Sequence, residues 1–315
     1  MALMETMLVL RALGLGDLLT GLPALRALSR LSRARESKLV LAAPPSLCAL
    51  AAYAGVEHNL HPQWSLSPIE WRGRPPDVAV NLHGKGPESN RCLLRTRPSR
   101  LVAFSDPEAG VRGPEWDADE HEVDRWARLV STELETAVDC ADLKIARPPR
   151  LEGTDPDPYV VIHPGAASPS RRWPPERFAE VARWARSTSM RVYLTGSMSE
   201  EHVANEVQMT ADPDTVLNVA GHTTLHDLMA LVAHARLVVC GDTGVAHLAT
   251  ALGTPSVILF GPVPPSVWGP RIAGPHILLW HDRGHGDPHG STLDPSLAAI
   301  SVDEVIDSMR SLVAA

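Results

Sequence analysis

Short, almost wholly apolar segments alternate along the chain with longer segments whose apolar residues recur at helical spacing. The apolar segments predict strands at 7–11, 38–43, 77–82, 101–104, 159–163, 191–195, 237–240 and 256–260. The segments with helical spacing lie between them, at 18–31, 46–54, 119–136, 175–187, 200–210, 225–235 and 245–252, with a last one at 302–313. Continuous apolar strands separated by helices are typical of parallel sheets covered on both faces. The pattern therefore predicts an α/β protein.

The alternation is interrupted once, between Ala146 and Pro158. This segment contains four prolines, one glycine and three acidic residues, and it has no apolar periodicity. It is the predicted linker between two domains, a number that also fits the length of 315 residues. We therefore expect domains at 1–150 and 151–315, which form two lobes with a cleft between them.

Charge differs between these two predicted domains. Residues 1–150 carry 19 basic and 19 acidic side chains, whereas residues 151–315 carry 10 and 18, so the second domain holds the whole net charge of −8. That charge argues against a dedicated nucleic-acid-binding protein. The composition, 44% hydrophobic and 21% charged, is that of a soluble globular protein and excludes a disordered chain or a disulfide-rich miniprotein.

The sequence also bears on the cellular location. Its two long uncharged stretches, 39–56 and 243–270, contain prolines, so no transmembrane segment is predicted. The four cysteines form no CxxC pair and fit reduced thiols. We expect a cytoplasmic protein with at most peripheral membrane contact.

The first motif, RALGLGDLL from Arg11 to Leu19, is a glycine-rich turn that ends in a carboxylate where a helix is predicted to begin. A dinucleotide fingerprint needs a third glycine, but Leu19 stands there, and Asp17 would repel a pyrophosphate. The motif therefore disfavours a nicotinamide-dependent oxidoreductase. Asp17 is either a helix N-cap, worth about 1 kcal/mol, or a group that accepts a proton, and the sequence leaves both open.

The second motif, HPGAASPSRRWPPERF, extends from His163 to Phe178. A loop of small residues follows a strand, and two adjacent cations, Arg171 and Arg172, precede a helix that begins with proline. Backbone N–H groups and guanidinium donors converge in such a loop, which suits an anionic ligand. The alternative is that both arginines are surface charges.

The third motif, GDTGVAHLATALGTPSVILFGP, extends from Gly241 to Pro262. Asp242, Thr243 and Gly244 are predicted to cap a helix whose free N–H groups could hold a phosphate. The Asp242 carboxylate could accept hydrogen bonds from sugar hydroxyls. His247 lies one turn inside the helix and serves either the same site or the helix packing.

Taken together, these three motifs resemble those of glycosyltransferase family 9, the ADP-heptose-dependent heptosyltransferases, from about residue 7 to residue 310. The resemblance implies the GT-B fold, with two facing Rossmann-like domains that each contain a parallel sheet. The first domain would hold the acceptor and carry the catalytic carboxylate. The second would bind the nucleotide sugar and end in the C-terminal helix.

The resemblance also implies roles for single residues. Asp17 matches the general base, and Arg171 stands where the family often has a lysine that contacts the leaving diphosphate. Glu200, or its neighbour Glu201, falls where a ribose-binding acid is expected, and Thr223 lies near the expected position of the adenine. The residues implied to bind the nucleotide sugar are Arg171, Arg172, Glu200, Thr223, Asp242, Thr243, Gly244 and His247.

The implied reaction is an inverting, metal-independent transfer of heptose from ADP-heptose to an acceptor hydroxyl, in envelope glycan or natural-product biosynthesis. No cofactor is expected beside the donor substrate, and the acceptor would be a glycan, a glycolipid or a small molecule. Two alternatives stay open: a GT-B-fold sugar-nucleotide epimerase, and a nucleotide-sugar-binding protein without activity.

Three further segments carry chemistry. Residues 71–105 hold seven basic and two acidic side chains, which predicts either a surface for an anionic acceptor or an exposed charged face. The acidic run 106–124 is interpreted as a solvated face. His281, His285 and His289 recur every four residues, but the glycines and proline between them prevent a helix, so a loop near the nucleotide is favoured over a metal site.

Overall fold

The computed structural model describes residues 4–152, 157–284 and 286–314. The chain divides into two compact units, Met1–Leu143 and Lys144–Ala315. Each unit is built around one parallel sheet. The predicted linker begins just after this division, and its residues 153–156 lie outside the described residues.

The first unit contains five parallel strands in the order β3-β2-β1-β4-β5. The strands are β1 Thr6–Leu10, β2 Lys38–Ala43, β3 Asn59–Pro62, β4 Val78–Asn81 and β5 Arg100–Val102. The helices are α1 Leu15–Thr20, α2 Leu22–Ala34, α3 Pro45–Tyr53, α4 Glu88–Leu94 and α5 Glu122–Leu134. The single helix predicted at 18–31 is thus two helices, which meet at Gly21.

The second unit contains six parallel strands in the order β11-β10-β9-β6-β7-β8. The strands are β6 Tyr159–His163, β7 Arg191–Leu194, β8 Val216–Asn218, β9 Leu237–Gly241, β10 Ser256–Leu259 and β11 His276–Leu279. The helices are α6 Pro175–Ser187, α7 Glu201–Ala211, α8 Leu225–His234, α9 Gly244–Leu252, α10 Pro265–Trp268, α11 Pro295–Ala298 and α12 Val302–Ala314.

Both sheets bury their central strands almost completely. Val160 and Ile162 of β6 are inaccessible to solvent, as are Leu8 and Leu10 of β1, because helices cover both faces of each sheet. This burial explains why the central strands stand out in the sequence as continuous apolar runs.

Three strands lack the continuous apolar pattern, and all three are edge strands. These are β3, β8 and β11, whose residues are mostly half-buried or exposed. An edge strand pairs on one side only and is less completely covered, so it needs fewer apolar side chains. Among the described residues, no helix is both long and apolar enough to cross a membrane.

The strand order places one crevice in each sheet. In the first sheet β1 pairs with both β2 and β4, so successive strands are added on opposite sides of β1, and in the second sheet β6 holds the same position between β7 and β9. In open parallel sheets, ligands bind at the carboxyl ends of the strands where the order reverses in this way. A site is therefore expected in the loops after β1 and β4 and in those after β6 and β9.

Candidate functional site

Asp17 lies in the loop-to-helix turn that follows β1. The N-cap of α1 is Gly14 and Asp17 is the third helical residue, so Asp17 is not the N-cap itself. Its Oδ2 nevertheless accepts a hydrogen bond from the backbone N–H of Gly14 at 3.1 Å. The carboxylate therefore accepts a hydrogen bond at the N-terminus of α1 although Asp17 itself lies in the first turn. Asp17 is half-buried.

The neighbouring loop, which follows β4, is held by a buried chain of amides. Asn81 donates to Asn90 at 2.6 Å and to Ser89 at 2.9 Å, and Asn90 donates in turn to Asp106 at 2.8 Å. This network fixes the start of the loop that carries His83. The spacing of these residues offers no recognisable motif, so sequence reasoning did not find them.

His83 is a neutral side chain in this loop. Burial, together with the nearby Arg11 guanidinium, lowers the pKa of His83 to about 4. Its Nδ1 is buried and has no hydrogen-bond partner among the described residues. Lys85, two residues further on, is exposed. The first sheet thus places a carboxylate, a neutral imidazole and a cation on two adjacent loops.

In the second unit, Arg171 and Asp242 form the centre of the site. Arg171 ends a short 3-10 turn after β6, and Asp242 follows β9 directly. Nη2 of Arg171 donates to the backbone carbonyl of Asp242 and, at 3.1 Å, to its carboxylate. Nε and Nη1 of Arg171 make no hydrogen bond to any described residue. Two motifs that are far apart in the chain therefore share one ion pair.

His247 belongs to the same cluster. Its Nε2 lies 3.9 Å from Oδ1 of Asp242, and its ring packs edge-on against Trp268 with centroids 5.7 Å apart. The histidine is almost fully buried. Both interpretations of His247 are thus compatible with its surroundings, because it packs in the core and also contacts a predicted site residue.

The first turn of α9 presents backbone N–H groups beside this cluster. Thr243 is the N-cap, and in the described structure its side chain caps no backbone N–H group. Gly244 is the first helical residue. A helix N-terminus whose N–H groups lack a side-chain acceptor attracts anions, since the aligned peptide dipoles add positive charge there.

Arg172, in the loop after β6, and Glu200, which follows β7, form a second group. Arg172 donates to the carbonyl of Ala166 at 2.9 Å, and the Glu200 carboxylate accepts from the backbone and hydroxyl of Ser197, each at 2.7 Å. Burial alone would raise the pKa of Glu200, but His163, the Ser197 hydrogen bonds and Arg172 together lower it. Glu200 is therefore ionised at neutral pH beside a cation.

His163, the last residue of β6, interacts with Glu200 of this group. Burial lowers the pKa of His163, against the opposing charge of Glu200, and its Nδ1 lies 3.1 Å from the hydroxyl of Thr195. A Cβ atom added at Gly165 would lie 2.4 Å from Glu200 Cδ, so the turn after β6 and the carboxylate are in direct contact.

The position of Thr223 says little about its predicted role. It precedes Thr224, the N-cap of α8, whose hydroxyl accepts a hydrogen bond from the backbone N–H of Asp227. Among the described residues, Thr223 makes no hydrogen bond to another predicted site residue. Glu201, the alternative to Glu200, instead lies 3.8 Å from Nε2 of His222.

The histidine-rich loop packs against the second motif. The backbone N–H of Ser170 donates to Gly290 at 3.2 Å, and Ser168 donates to the carbonyl of Pro288. His281 pairs instead with Glu304 at 2.8 Å, and His285 lies outside the described residues. In the described part of the chain, no three His, Cys, Asp or Glu side chains are arranged to hold a metal ion.

The ion pairs and the burial in the basic segment 71–105 and the acidic run 106–124 add to what their composition predicts. Four arginines of the basic segment pair with acids: Arg72 with Glu70, Arg74 with Asp77, Arg91 with Glu108 and Arg100 with Glu133. The acidic run is not wholly a solvated face, because Asp106 and Glu122 are 7% and 4% exposed. Both acids are buried because they bind donors, Asp106 the Asn90 amide and Glu122 two arginines and an indole N–H.

Known proteins are similar to this chain in sequence and in structure. The family model for glycosyltransferase family 9 (heptosyltransferase) matches residues 112–285. Lipopolysaccharide heptosyltransferase 2 of Salmonella typhimurium is 27% identical over 195 residues, which cover 60% of this chain and 54% of that protein. The chain thus matches about half the length of this relative.

Solved structures with the same fold are similar over nearly the whole chain. A family 9 glycosyltransferase from Veillonella parvula has a TM-score of 0.78 and 20% identity, and the match covers 100% of this chain and 99% of that one. The E. coli ADP-heptose lipopolysaccharide heptosyltransferase II also has a TM-score of 0.78 and 20% identity, with 98% and 99% covered. At this identity the likeness establishes the fold alone, and it confirms the predicted GT-B class.

The predicted family is confirmed as well. The family model spans more than half of the chain, and its matched region includes the second motif and the third. The chain therefore belongs to glycosyltransferase family 9, the heptosyltransferase family.

Proposed function

We propose that this protein is an inverting, metal-independent glycosyltransferase that moves heptose from ADP-heptose to an acceptor hydroxyl. The observation that carries the proposal is the cluster of Arg171, Asp242 and the N-terminus of α9 at the crevice of the second sheet. Guanidinium and backbone N–H donors bind a diphosphate, and a carboxylate beside them accepts hydrogen bonds from sugar hydroxyls.

The donor is proposed from the cluster together with the family. The E. coli relative is an ADP-heptose heptosyltransferase, and the Salmonella relative is also a heptosyltransferase. Glu200, ionised beside Arg172, would accept hydrogen bonds from the ribose hydroxyls, and Thr223 would lie near the adenine. His247 would hold Asp242 in place from the helix side.

Asp17 is the proposed general base. Its carboxylate is half-buried at a rigid turn, and one oxygen is held by Gly14, which leaves the other to take the acceptor proton. As that proton leaves, the acceptor oxygen attacks the anomeric carbon from the face opposite the diphosphate, and the configuration inverts. A positioned general base contributes about 10²–10⁴-fold to the rate.

The leaving group is stabilised by fixed positive groups. Charge develops on the β-phosphate as the glycosidic bond breaks, and Nε and Nη1 of Arg171 can donate to it while Nη2 remains on Asp242. The N–H groups of Thr243 and Gly244 add the positive end of α9. Each such donor commonly raises the rate of the chemical step by about 10²–10³-fold. These groups thus have the role that a divalent cation has in metal-dependent transferases.

The acceptor is proposed to bind to the first domain, at 1–150, and the nucleotide sugar to the second, at 151–315. A glycan, glycolipid or small molecule with anionic groups fits the basic residues around the β4 loop, of which Lys85 is exposed. We place the reaction in the cytoplasm, in envelope glycan or natural-product biosynthesis.

Two measurements test this function. Thermal-shift assays with ADP-, GDP- and UDP-sugars should show stabilisation by ADP-heptose above the others, because a ligand that binds only the folded state raises its stability. Asp17→Asn should keep this stabilisation and lose turnover, whereas Asp303→Asn, on the exposed start of α12, should retain both. Undiminished turnover in Asp17→Asn would refute the assignment of the base.

The reaction type is tested separately. Nucleotide release should require the acceptor, continue in EDTA and yield a product of inverted anomeric configuration. Conversion of the nucleotide sugar without acceptor would instead identify an epimerase, and binding without any turnover would identify a nucleotide-sugar-binding protein.

A further inference from the structure

A charged side chain lies completely buried beneath the Asp17 turn. Arg11, the first residue after β1, is 0% exposed. Its Nε donates to the backbone carbonyl of Asp17 at 2.6 Å and its Nη2 to the hydroxyl of Thr20 at 3.3 Å. The side chain thus holds the turn on which the proposed base is carried.

The same guanidinium also reaches the adjacent loop. Its Nη1 donates to the carbonyl of Leu82, the residue that precedes His83. Leu10 and Asn81 are register partners in the parallel pairing of β1 with β4, so both loops start at the same height on the sheet. One side chain therefore bridges the two loops at the crevice of the first sheet.

The charge of Arg11 is balanced from α5. Oε1 of Glu122 lies 3.6 Å from Nη2 of Arg11, and the ring of Trp126 lies 4.9 Å from the guanidinium carbon. Glu122 also accepts from Arg125 and, at 2.6 Å, from Nε1 of Trp126. The partner carboxylate is thus held by two groups besides Arg11.

The backbone makes room for this arrangement at Gly21. A Cβ atom there would lie 2.5 Å from Nε of Arg11, and the backbone N–H of Gly21 donates to the same Asp17 carbonyl that Arg11 binds, at 3.1 Å. Burial lowers the pKa of Arg11, while the charges of Glu122 and Asp17 oppose that shift. The Glu122 and Asp17 carboxylates thus favour the charged form of this guanidinium.

We propose that Arg11 is a positioning residue, which locks the Asp17 turn and the loop after β4 (residues 82–86) in one arrangement and so aims the Asp17 carboxylate at the acceptor. This inference rests on the proposed function for its effect on turnover. The predicted effect of Arg11 on the two loops does not depend on that function. A neutral side chain of similar volume would fill the space but would bind none of the three oxygen atoms.

Arg11→Met is the main test, with Arg26→Met as the matched control. Arg26 is an arginine of the same unit that also binds a backbone carbonyl, that of Ala54, and a carboxylate, that of Asp142, neither of which is a predicted site residue. Arg11→Met leaves Glu122 bound to Arg125 and Trp126, so we expect it to fold. Arg11→Lys, which keeps the charge but loses the planar fork, is the conservative variant.

Turnover and hydrogen exchange give independent results. Arg11→Met should lower kcat by about 10- to 100-fold with the donor KM within twofold, since a small misplacement of a catalytic group has effects of this size. Arg11→Lys should recover part of the loss. Amide exchange should accelerate in residues 14–21 and 82–86, while Arg26→Met leaves both segments and kcat unchanged.

The outcomes separate the two proposals. Slow exchange in both segments of Arg11→Met, or a kcat loss no greater than that of Arg26→Met at equal folded fraction, would overturn the positioning role. If the wild-type protein transfers no sugar, the proposed function fails, and accelerated exchange in Arg11→Met would still establish that Arg11 locks the two loops.

Discussion

Arg171 binds the backbone carbonyl and the carboxylate of Asp242 with the same terminal nitrogen, across 71 residues of sequence. The pair joins the loop after β6 to the loop after β9. The guanidinium is thereby held by Nη2, while its Nε and Nη1 make no hydrogen bond to the residues that the structure describes. A preorganised cation of this kind does not have to reorganise when charge develops on a leaving group.

Replacement of Arg171 should therefore impair the chemical step. Arg171→Met should lower kcat by about 10²–10³-fold, the usual loss when one donor to a developing charge is removed. Arg171→Lys should recover only part of the rate, because an ammonium group cannot bind Asp242 and a diphosphate in the same planar geometry. Steady-state kinetics measure both, and Arg183→Met, on the exposed side of α6, serves as control. A kcat for Arg171→Met equal to that of the control would contradict the assignment.

Stability should depend on pH through His83. Its pKa is lowered from 6.5 to about 4, so between these values the unfolded chain binds a proton that the folded chain does not. The contribution of His83 is therefore fully present above about pH 6.5 and is lost as the pH falls towards 4. We expect a loss on the order of 2 kcal/mol, a figure reduced for solvent screening at a partly exposed site.

Urea denaturation of the wild type and of His83→Gln at pH 7.5 and pH 4.5 measures this effect. The free energy of unfolding should fall less in the variant, because glutamine does not titrate. Parallel pH dependences in the two proteins would rule out His83 as the source.

Gly165→Ala should disturb the donor site through Glu200. The added Cβ would lie 2.4 Å from Glu200 Cδ, so the carboxylate must move away from the Ser197 hydrogen bonds. We expect ADP to bind about 3- to 10-fold more weakly, a loss of roughly 1 kcal/mol for one hydrogen-bonded group. Titration calorimetry with ADP should show a similar loss for Glu200→Gln. Wild-type affinity in Gly165→Ala would show that the contact with Glu200 does not matter for binding.

Gly21→Ala should destabilise the first unit. The methyl group would lie 2.5 Å from Nε and 3.0 Å from Cδ of Arg11, a side chain held in place by three hydrogen bonds. Overpacking of this kind typically costs about 1–3 kcal/mol. Chemical denaturation should show this loss, whereas Gly84→Ala, where the added Cβ meets no atom within 4 Å beyond the adjacent residues of the chain, should stay within about 0.5 kcal/mol of the wild type.

Much of the architecture can be read from the pattern of apolar residues. The central strands of both sheets are buried on both faces and therefore appear as uninterrupted apolar runs, as at 159–163. The half-exposed strands β3, β8 and β11 carry no such signal, because burial rather than backbone pairing selects apolar side chains. The break at Gly21 was also not predicted, because the apolar spacing continues through it.

The acidic run 106–124 shows that composition alone does not predict which charged residues are buried. Charge density predicts a solvated face, yet Glu122 is buried against Arg11, Arg125 and Trp126. Its partner Arg11 lies more than 100 positions earlier in the chain. A carboxylate is buried only where donors surround it, and those donors are contributed by other elements.

The sequence by itself determined the α/β class, the order of the three motifs and the family, since local apolar periodicity and short motifs are properties of contiguous residues. Only the tertiary structure decided which polar groups meet. Parallel pairing places β6 beside β9 and β1 beside β4, so loops that are distant in sequence emerge at the same end of a sheet. That adjacency brings Arg171 to Asp242 and lets Arg11 bridge two loops, because a hydrogen bond depends on distance in space and not on distance along the chain.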